Sequence, residues 1–90
     1  VRTVRVRVVV SGRVQGVFFR DTCRDRARAE GVAGWVRNRS DGTVEAEFEG
    51  AVAAVDRVVA WCGEGPSRAR VDGVVTEARA PLGERTFVVR

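Results

Sequence analysis

Val4, Val6, Val8 and Val10 alternate with Arg5, Arg7 and Val9 at the start of the chain. A period of two with one apolar side predicts a strand buried on one face. Residues 11–17 carry Gly12 and Gly16 and read as a loop. From residue 18 the period lengthens. Phe19, Cys23 and Ala27 recur four apart, so residues 18–30 are predicted as a helix that Gly31 stops just past its end. Residues 34–38 form a short strand, and Asp41-Gly42 signals a hairpin turn. Residues 43–49 resume the alternation, with Val44, Ala46 and Phe48 facing in and Glu45, Glu47 and Glu49 facing out. A second helix covers residues 51–62, its apolar stripe being Val52, Val55, Val58, Val59 and Cys62. Gly63, Gly65 and Pro66 end it. A fourth strand spans residues 68–78 with a bend at Gly73, a turn follows at 81–84, and residues 86–90 make a short last strand.

The order is β-α-β-β-α-β-β, and residues 1–90 are expected to form one domain, since ninety residues suit a single core. The first six elements match the split βαβ, ferredoxin-like unit. The fold class is thus an α/β sandwich: a ferredoxin-like βαββαβ unit with an antiparallel sheet, two helices on one face and a short extra C-terminal strand. The other face is expected to be wet. There Arg5 and Arg7 should lie across from Glu45, Glu47 and Glu49, as cross-strand pairs contributing roughly 0.2–1 kcal/mol each.

Composition narrows the function classes. Hydrophobic residues are 44% and charged residues 31%, which fits a globular chain and not a disordered one. No apolar run approaches the ~18 residues of a membrane span. No targeting segment is visible, so the cytoplasm is the expected compartment. The net charge of +4 suits an anionic ligand, nucleic acid or simply a solvated arginine-rich surface. RNA recognition on this topology stacks bases on aromatics of the central strands. The outward positions here carry Arg5, Arg7, Glu45, Glu47 and Glu49 instead, so no nucleic acid is expected. The chain has no His and no Lys, and Gln15 and Asn38 are its only side-chain amides. In so biased a chain a lone amide is a mild hint that its side chain has a task. No Cys, Asp or Glu set shows ligand spacing, so no metal and no cofactor are expected.

Two segments carry candidate chemistry. The first, Ser11-Gly12-Arg13-Val14-Gln15-Gly16-Val17-Phe18-Phe19-Arg20, runs from a strand end through a glycine-bearing loop into a helix start. Backbone N–H groups in such a place lack intrahelical partners, the helix dipole favours negative charge, and an arginine in the first turn adds a planar fork that matches phosphate oxygens. On spacing alone a tight turn with a surface arginine is an equally plain reading. A Walker loop is excluded because the chain has no Lys, and a dinucleotide fingerprint because a third glycine is missing at the required spacing. The second segment, Gly34 to Glu45, holds Asn38. Asn38 could simply bond its own backbone at the turn, and Asp41 and Gly42 are read as turn chemistry. Topology adds interest, because the first two strands run parallel in a split βαβ unit. Their C-terminal ends, and so the loop and Asn38, share one sheet edge.

Together the segments resemble the paired signature of the acylphosphatase family, Gly-x-Val-Gln-Gly-Val-x-Phe-Arg followed by Gly-Trp-Val-x-Asn-x-x-Asp-Gly-x-Val-Glu. The matching residues are Gly12, Val14, Gln15, Gly16, Val17, Phe19 and Arg20, then Gly34, Trp35, Val36, Asn38, Asp41, Gly42, Val44 and Glu45. Gly65, Pro66, Ala69 and Val71 resemble a later Gly-Pro-x-x-Ala-x-Val stretch. The resemblance implies hydrolysis of acyl phosphates to a carboxylate and inorganic phosphate without metal or cofactor. It implies catalytic roles for Arg20 and Asn38. The phosphoryl group would be held by the backbone amides of Gln15, Gly16, Val17, Phe18, Phe19 and Arg20 with the Arg20 guanidinium, and the attacking water by the Asn38 amide. The expected partners are small-molecule acyl phosphates and inorganic phosphate, met by a monomer.

One rival concerns Cys62, since Cys62 and Arg68 have the Cys-x5-Arg spacing of cysteine-dependent phosphatases. That loop should leave a strand and enter a helix, whose N-terminus lowers the thiol pKa. Here it leaves a helix and enters a strand, so the rival is set aside. Cys23 and Cys62 both point inward from antiparallel helices. A disulfide is geometrically open to them, and two buried thiols are the expectation in a reducing compartment.

Overall fold

Valine is stiff and β-branched, and its alternation through the first segment places that strand at the heart of a sheet. A computed structural model describes residues 2–90. It gives β1 (Thr3–Arg13), α1 (Phe19–Ala29), β2 (Ala33–Asn38), β3 (Val44–Ala51), α2 (Val52–Cys62), β4 (Arg70–Arg79) and β5 (Phe87–Val89). The strand order is β4-β1-β3-β2-β5. β1 pairs antiparallel with both β3 and β4, and β2 pairs antiparallel with β3. β1 and β2 therefore run the same way with β3 between them, and their C-terminal ends share one edge as the topology required. The sheet is not wholly antiparallel, because β5 joins β2 in parallel register, Trp35 opposite Val88. β4 and β5 lie on opposite edges, so the link between them has to cross the sheet.

One sheet face is apolar and carries both helices. Val8, Val10, Val36, Val44, Ala46 and Phe48 meet Phe19, Cys23 and Ala27 of α1 and Val55, Val58 and Cys62 of α2, all buried. Burying a side chain of this size contributes roughly 1.5–3 kcal/mol. In α2 the stripe is rotated from the one expected. Val52 is exposed and Val59 only half-buried, while Ala54 and Trp61 are buried. Trp61 packs on Phe19 with ring centroids 5.1 Å apart, which turns that side of α2 toward α1.

The opposite face is wet along β4, where Val75, Glu77 and Arg79 are exposed, but not over the end of β1 and β3, where the alternation of charges would leave the side chains in water. Arg5 and Glu49 are only 2% and 4% exposed. Arg5 and Glu49 are register partners, as are Arg7 and Glu47. The Arg5 guanidinium donates to Glu47, to Glu49 at 3.0 Å and to Glu84 at 3.1 Å. The backbone N–H groups of Leu82, Gly83 and Glu84 converge on the Glu49 carboxylate at 2.7, 2.8 and 3.1 Å. The crossing link thus lids this end of the face. Next to it Glu45 accepts from Arg7 and Arg37, both at 2.7 Å. Trp35 is buried between the guanidinium groups of Arg37 and Arg90. A segment read as a plain turn closes over the charged positions, and such long-range hydrogen bonds leave no trace in a local pattern.

Candidate active site at the β1–α1 loop

β1 runs past its apolar stretch to Arg13 because its pairing with β4 survives a register shift between Ser11 and Gly12. Gly12 takes φ 119°, and a Cβ there would lie 2.2 Å from the Arg70 carbonyl oxygen, so only glycine fits. After the strand, Val14 and Val17 are buried in the core and tie the loop down at both ends. Gly16 between them is exposed, with φ 73°. Phe18 has φ 64° and ψ 25°, the left-handed region, so α1 starts at Phe19, one residue later than the periodicity indicated.

This backbone leaves a row of donors without acceptors. Among the described residues, no N–H group from 15 to 20 donates to another backbone group. The first amide that does so is Thr22, which donates to the Phe18 carbonyl at 3.1 Å. No side chain caps the helix either. Unsatisfied N–H groups at the positive end of a helix dipole make an anion site.

A pocket of about 250 Å³ opens here, lined by Val14, Gly16, Phe18, Phe19, Arg20, Asp21 and Asn38. Arg20 is exposed and forms no ion pair among the described residues, although the neighbouring Asp21 lies 3.9 Å from Arg24. Asn38 ends β2 opposite Val44. Its Oδ1 is buried, and no donor among the described residues reaches it. A buried acceptor left so costs about 1–3 kcal/mol.

Gln15 is expected among the phosphate-binding residues, and its side chain does something else. Its Nε2 donates to the carbonyls of Arg39 and Thr43 at 2.7 and 2.9 Å, so it pins the loop to the β2–β3 hairpin and fixes Asn38 relative to Arg20. The hairpin is itself rigid. Asp41 accepts from the Thr43 amide at 3.0 Å and from its hydroxyl at 2.6 Å, which holds the Asp41 carboxyl below its ordinary pKa, and Gly42 takes φ 90°. Val17 likewise turns into the core and can offer the pocket only its amide. Asp21 on the pocket wall was missed. In sequence it reads only as an acidic residue favouring a helix N-terminus.

The two cysteines are free and buried. A hydrogen bond to Cys62, and then burial, push the Cys23 thiol well above its ordinary pKa. This is the reverse of an activated nucleophile. Cys62 ends a helix, and the exposed Arg68 precedes a strand, so the cysteine-phosphatase loop is not formed. No cluster of three or more His, Cys, Asp or Glu capable of holding a metal occurs among the described residues. Among these residues too, no helix is long and apolar enough to cross a membrane.

Comparison with known proteins agrees with this fold. The acylphosphatase family model matches residues 6–89. An acylphosphatase of Rubrobacter xylanophilus is 63% identical over 90 residues, covering 99% of this chain and 82% of that protein. Among solved structures, an acylphosphatase from Coxiella burnetii superposes with a TM-score of 0.94 at 38% identity, covering 98% of this chain and 93% of that one. That from Bacillus subtilis gives 0.93 at 34% identity, covering 97% and 98%. With a family match over nearly its whole length and relatives this close, the chain belongs to the acylphosphatase family.

Proposed function

We propose that the chain hydrolyses the carboxyl–phosphate anhydride of small acyl phosphates to a carboxylate and inorganic phosphate, using the loop at residues 15–20, Arg20 and Asn38. The buried, unpartnered Oδ1 of Asn38, a residue that lines the same pocket as Arg20, supports this assignment of roles. Loop amides and the Arg20 fork hold the phosphoryl oxygens. The Asn38 side-chain amide holds the attacking water and directs its lone pair toward phosphorus. As the P–O bond to the acyl oxygen breaks, the leaving carboxylate takes the electron pair, and a proton of the water passes to a phosphoryl oxygen. A carboxylate is a good leaving group, so positioning and charge stabilisation supply most of the rate, with no general base. Asp21 is exposed and, as a carboxylate on the pocket wall, repels the bound anion, so no role as base is assigned to it. Loop, arginine and amide all come from one chain, so a monomer in the cytoplasm is the working unit of this reading.

The test is phosphate release from benzoyl phosphate with EDTA present. Turnover is expected to be undiminished, with inorganic phosphate a competitive inhibitor. A strict requirement for Mg²⁺ or Zn²⁺ would overturn the mechanism.

A further inference from the structure

Phe18 breaks two rules at once. Its neighbours Val17 and Phe19 are buried to 2% exposure, while its own ring is 68% exposed, the one aromatic among the large exposed apolar side chains. It is also the single non-glycine residue with positive φ among those described. A left-handed residue at a helix start is ordinarily glycine, which carries no Cβ penalty there. If the loop needed only this backbone, glycine would serve better and would expose no phenyl ring to water. An observed backbone outlier at a ligand site points to a use for its side chain.

The position suggests the use. Phe18 lines the pocket together with Arg20 and Asn38. An acyl phosphate has two unlike halves. Once its phosphoryl group fills a cradle at the pocket floor, its acyl group has to extend outward across the rim. The exposed lining residues are Gly16, Phe18, Arg20 and Asp21, and among them Phe18 alone offers an apolar side chain, with the Asp21 side chain 61% exposed beside it. An apolar face beside a carboxylate welcomes apolar acyl groups and repels acyl groups that bear a second negative charge.

We infer that Phe18 is the acyl-side platform of this site and selects aromatic and other apolar acyl phosphates over small or anionic ones. The inference rests on the phosphate-cradle reading above, and the experiment separates the two. The full chain and its Phe18→Tyr, Phe18→Leu and Phe18→Gly variants are compared on benzoyl and acetyl phosphate. The readout is the ratio of the two kcat/KM values in each variant. Intrinsic substrate reactivity and any loss common to both substrates then cancel. The inhibition constant of inorganic phosphate is measured alongside. Tyr should keep the wild-type ratio and Leu should lower it in part. Gly, which keeps the left-handed backbone without the ring, should lower it roughly three- to tenfold, as expected for one aromatic contact. A ratio that stays constant across the series, even if both activities fall together, overturns the platform and leaves Phe18 a backbone role only. Should inorganic phosphate fail to compete in the wild-type protein, the cradle itself is wrong, whatever the ratios do.

Discussion

Two arginine-bearing regions of this molecule treat charge in opposite ways. On the open sheet face every strong group has a partner. Arg5 meets Glu47, Glu49 and Glu84, Glu49 also takes three backbone N–H groups, and Glu45 holds Arg7 and Arg37. At the β1–α1 loop the groups are left open. Among the described residues, the amides of residues 15–20 donate to no backbone acceptor, Arg20 pairs with no carboxylate, and Asn38 Oδ1 has no donor. Both regions are arginine chemistry on one sheet, so residue type does not separate them. Saturation does. A satisfied ion network fixes the fold and can bind little else, whereas unsatisfied groups held rigidly are preorganised for a ligand that completes them.

The comparison breaks most directly at Arg20. Arg20→Ala should lower kcat/KM by about 10³-fold or more, through loss of several charge-assisted bonds to the phosphoryl group. It should weaken inhibition by inorganic phosphate as well, with stability nearly unchanged because the side chain is exposed. Lys should rescue poorly, as a point charge in place of a fork. Arg5→Ala should do the reverse. It strands buried carboxylates and should cost about 3–5 kcal/mol of stability, read by denaturant unfolding, while the folded fraction keeps its phosphate inhibition constant. If Arg5→Ala cost no stability, the network would be ornamental. If Arg20→Ala were destabilising but catalytically mild, the two regions would have to exchange roles.

The sequence made these regions unequally visible. The cradle was legible because its signals are local. Gly12 marks backbone that a side chain would block and Gly16 a turn of positive φ, Arg20 falls in the first helical turn, and Asn38 ends a strand that the topology sets beside the loop. The ionic face was legible only by halves. Alternation gave the pairing of Arg5 and Arg7 with the glutamates, but alternating charges read as solvent-exposed. The lid formed by residues 82–84 comes from more than thirty residues away, and nothing in Leu82-Gly83-Glu84 announces Glu49 as its target. The side-chain task of Gln15 was hidden for the same reason, since its acceptors are backbone carbonyls, which every residue carries. Phe18 misled by its chemistry. A phenylalanine next to a helical stripe reads as the start of the helix, and its left-handed backbone is set by the loop that Val14 and Val17 anchor.

Within the open region, Asn38 should be separable from Arg20. Asn38→Ala should reduce kcat by about 10²–10³-fold, the usual effect of losing one positioning hydrogen bond at a reacting centre. Phosphate affinity should stay close to wild type, because Asn38 addresses the water and not the anion. Asn38 lies next to the hairpin that Gln15 holds, so kcat and phosphate inhibition need to be measured on the same folded preparation. Near-normal kcat would return Asn38 to a turn residue. A loss of phosphate binding as deep as that of Arg20→Ala would move it into the cradle.

The mildest effect expected concerns acid, and it probes the saturated region without touching the site. Burial alone would raise the Glu45 carboxyl, but the hydrogen bonds from Arg37 and Arg7 outweigh it and hold its pKa below the ordinary 4.5. Glu49 behaves alike: burial opposes, and the Leu82 amide, Arg5 and the Gly83 amide prevail. A carboxyl whose pKa is lower folded than unfolded binds fewer protons in the native state, so stability rises with pH between the two values. The contribution is therefore complete above about pH 5. It is lost as pH falls through the unfolded and then the folded pKa. Denaturation midpoints should be flat from pH 5 to 8 and decline below about 4.5, in the carboxylate range. Glu45→Gln should cost about 1–2 kcal/mol at neutral pH by weakening the hold on Arg7 and Arg37, and should make the acid decline shallower. Glu45 does not line the pocket that holds Arg20 and Asn38, so phosphate release per folded molecule at pH 5–8 should not change in that variant. An acid decline equally steep in Glu45→Gln would remove Glu45 as its source and leave Glu49, gripped by three amides and Arg5, to account for it.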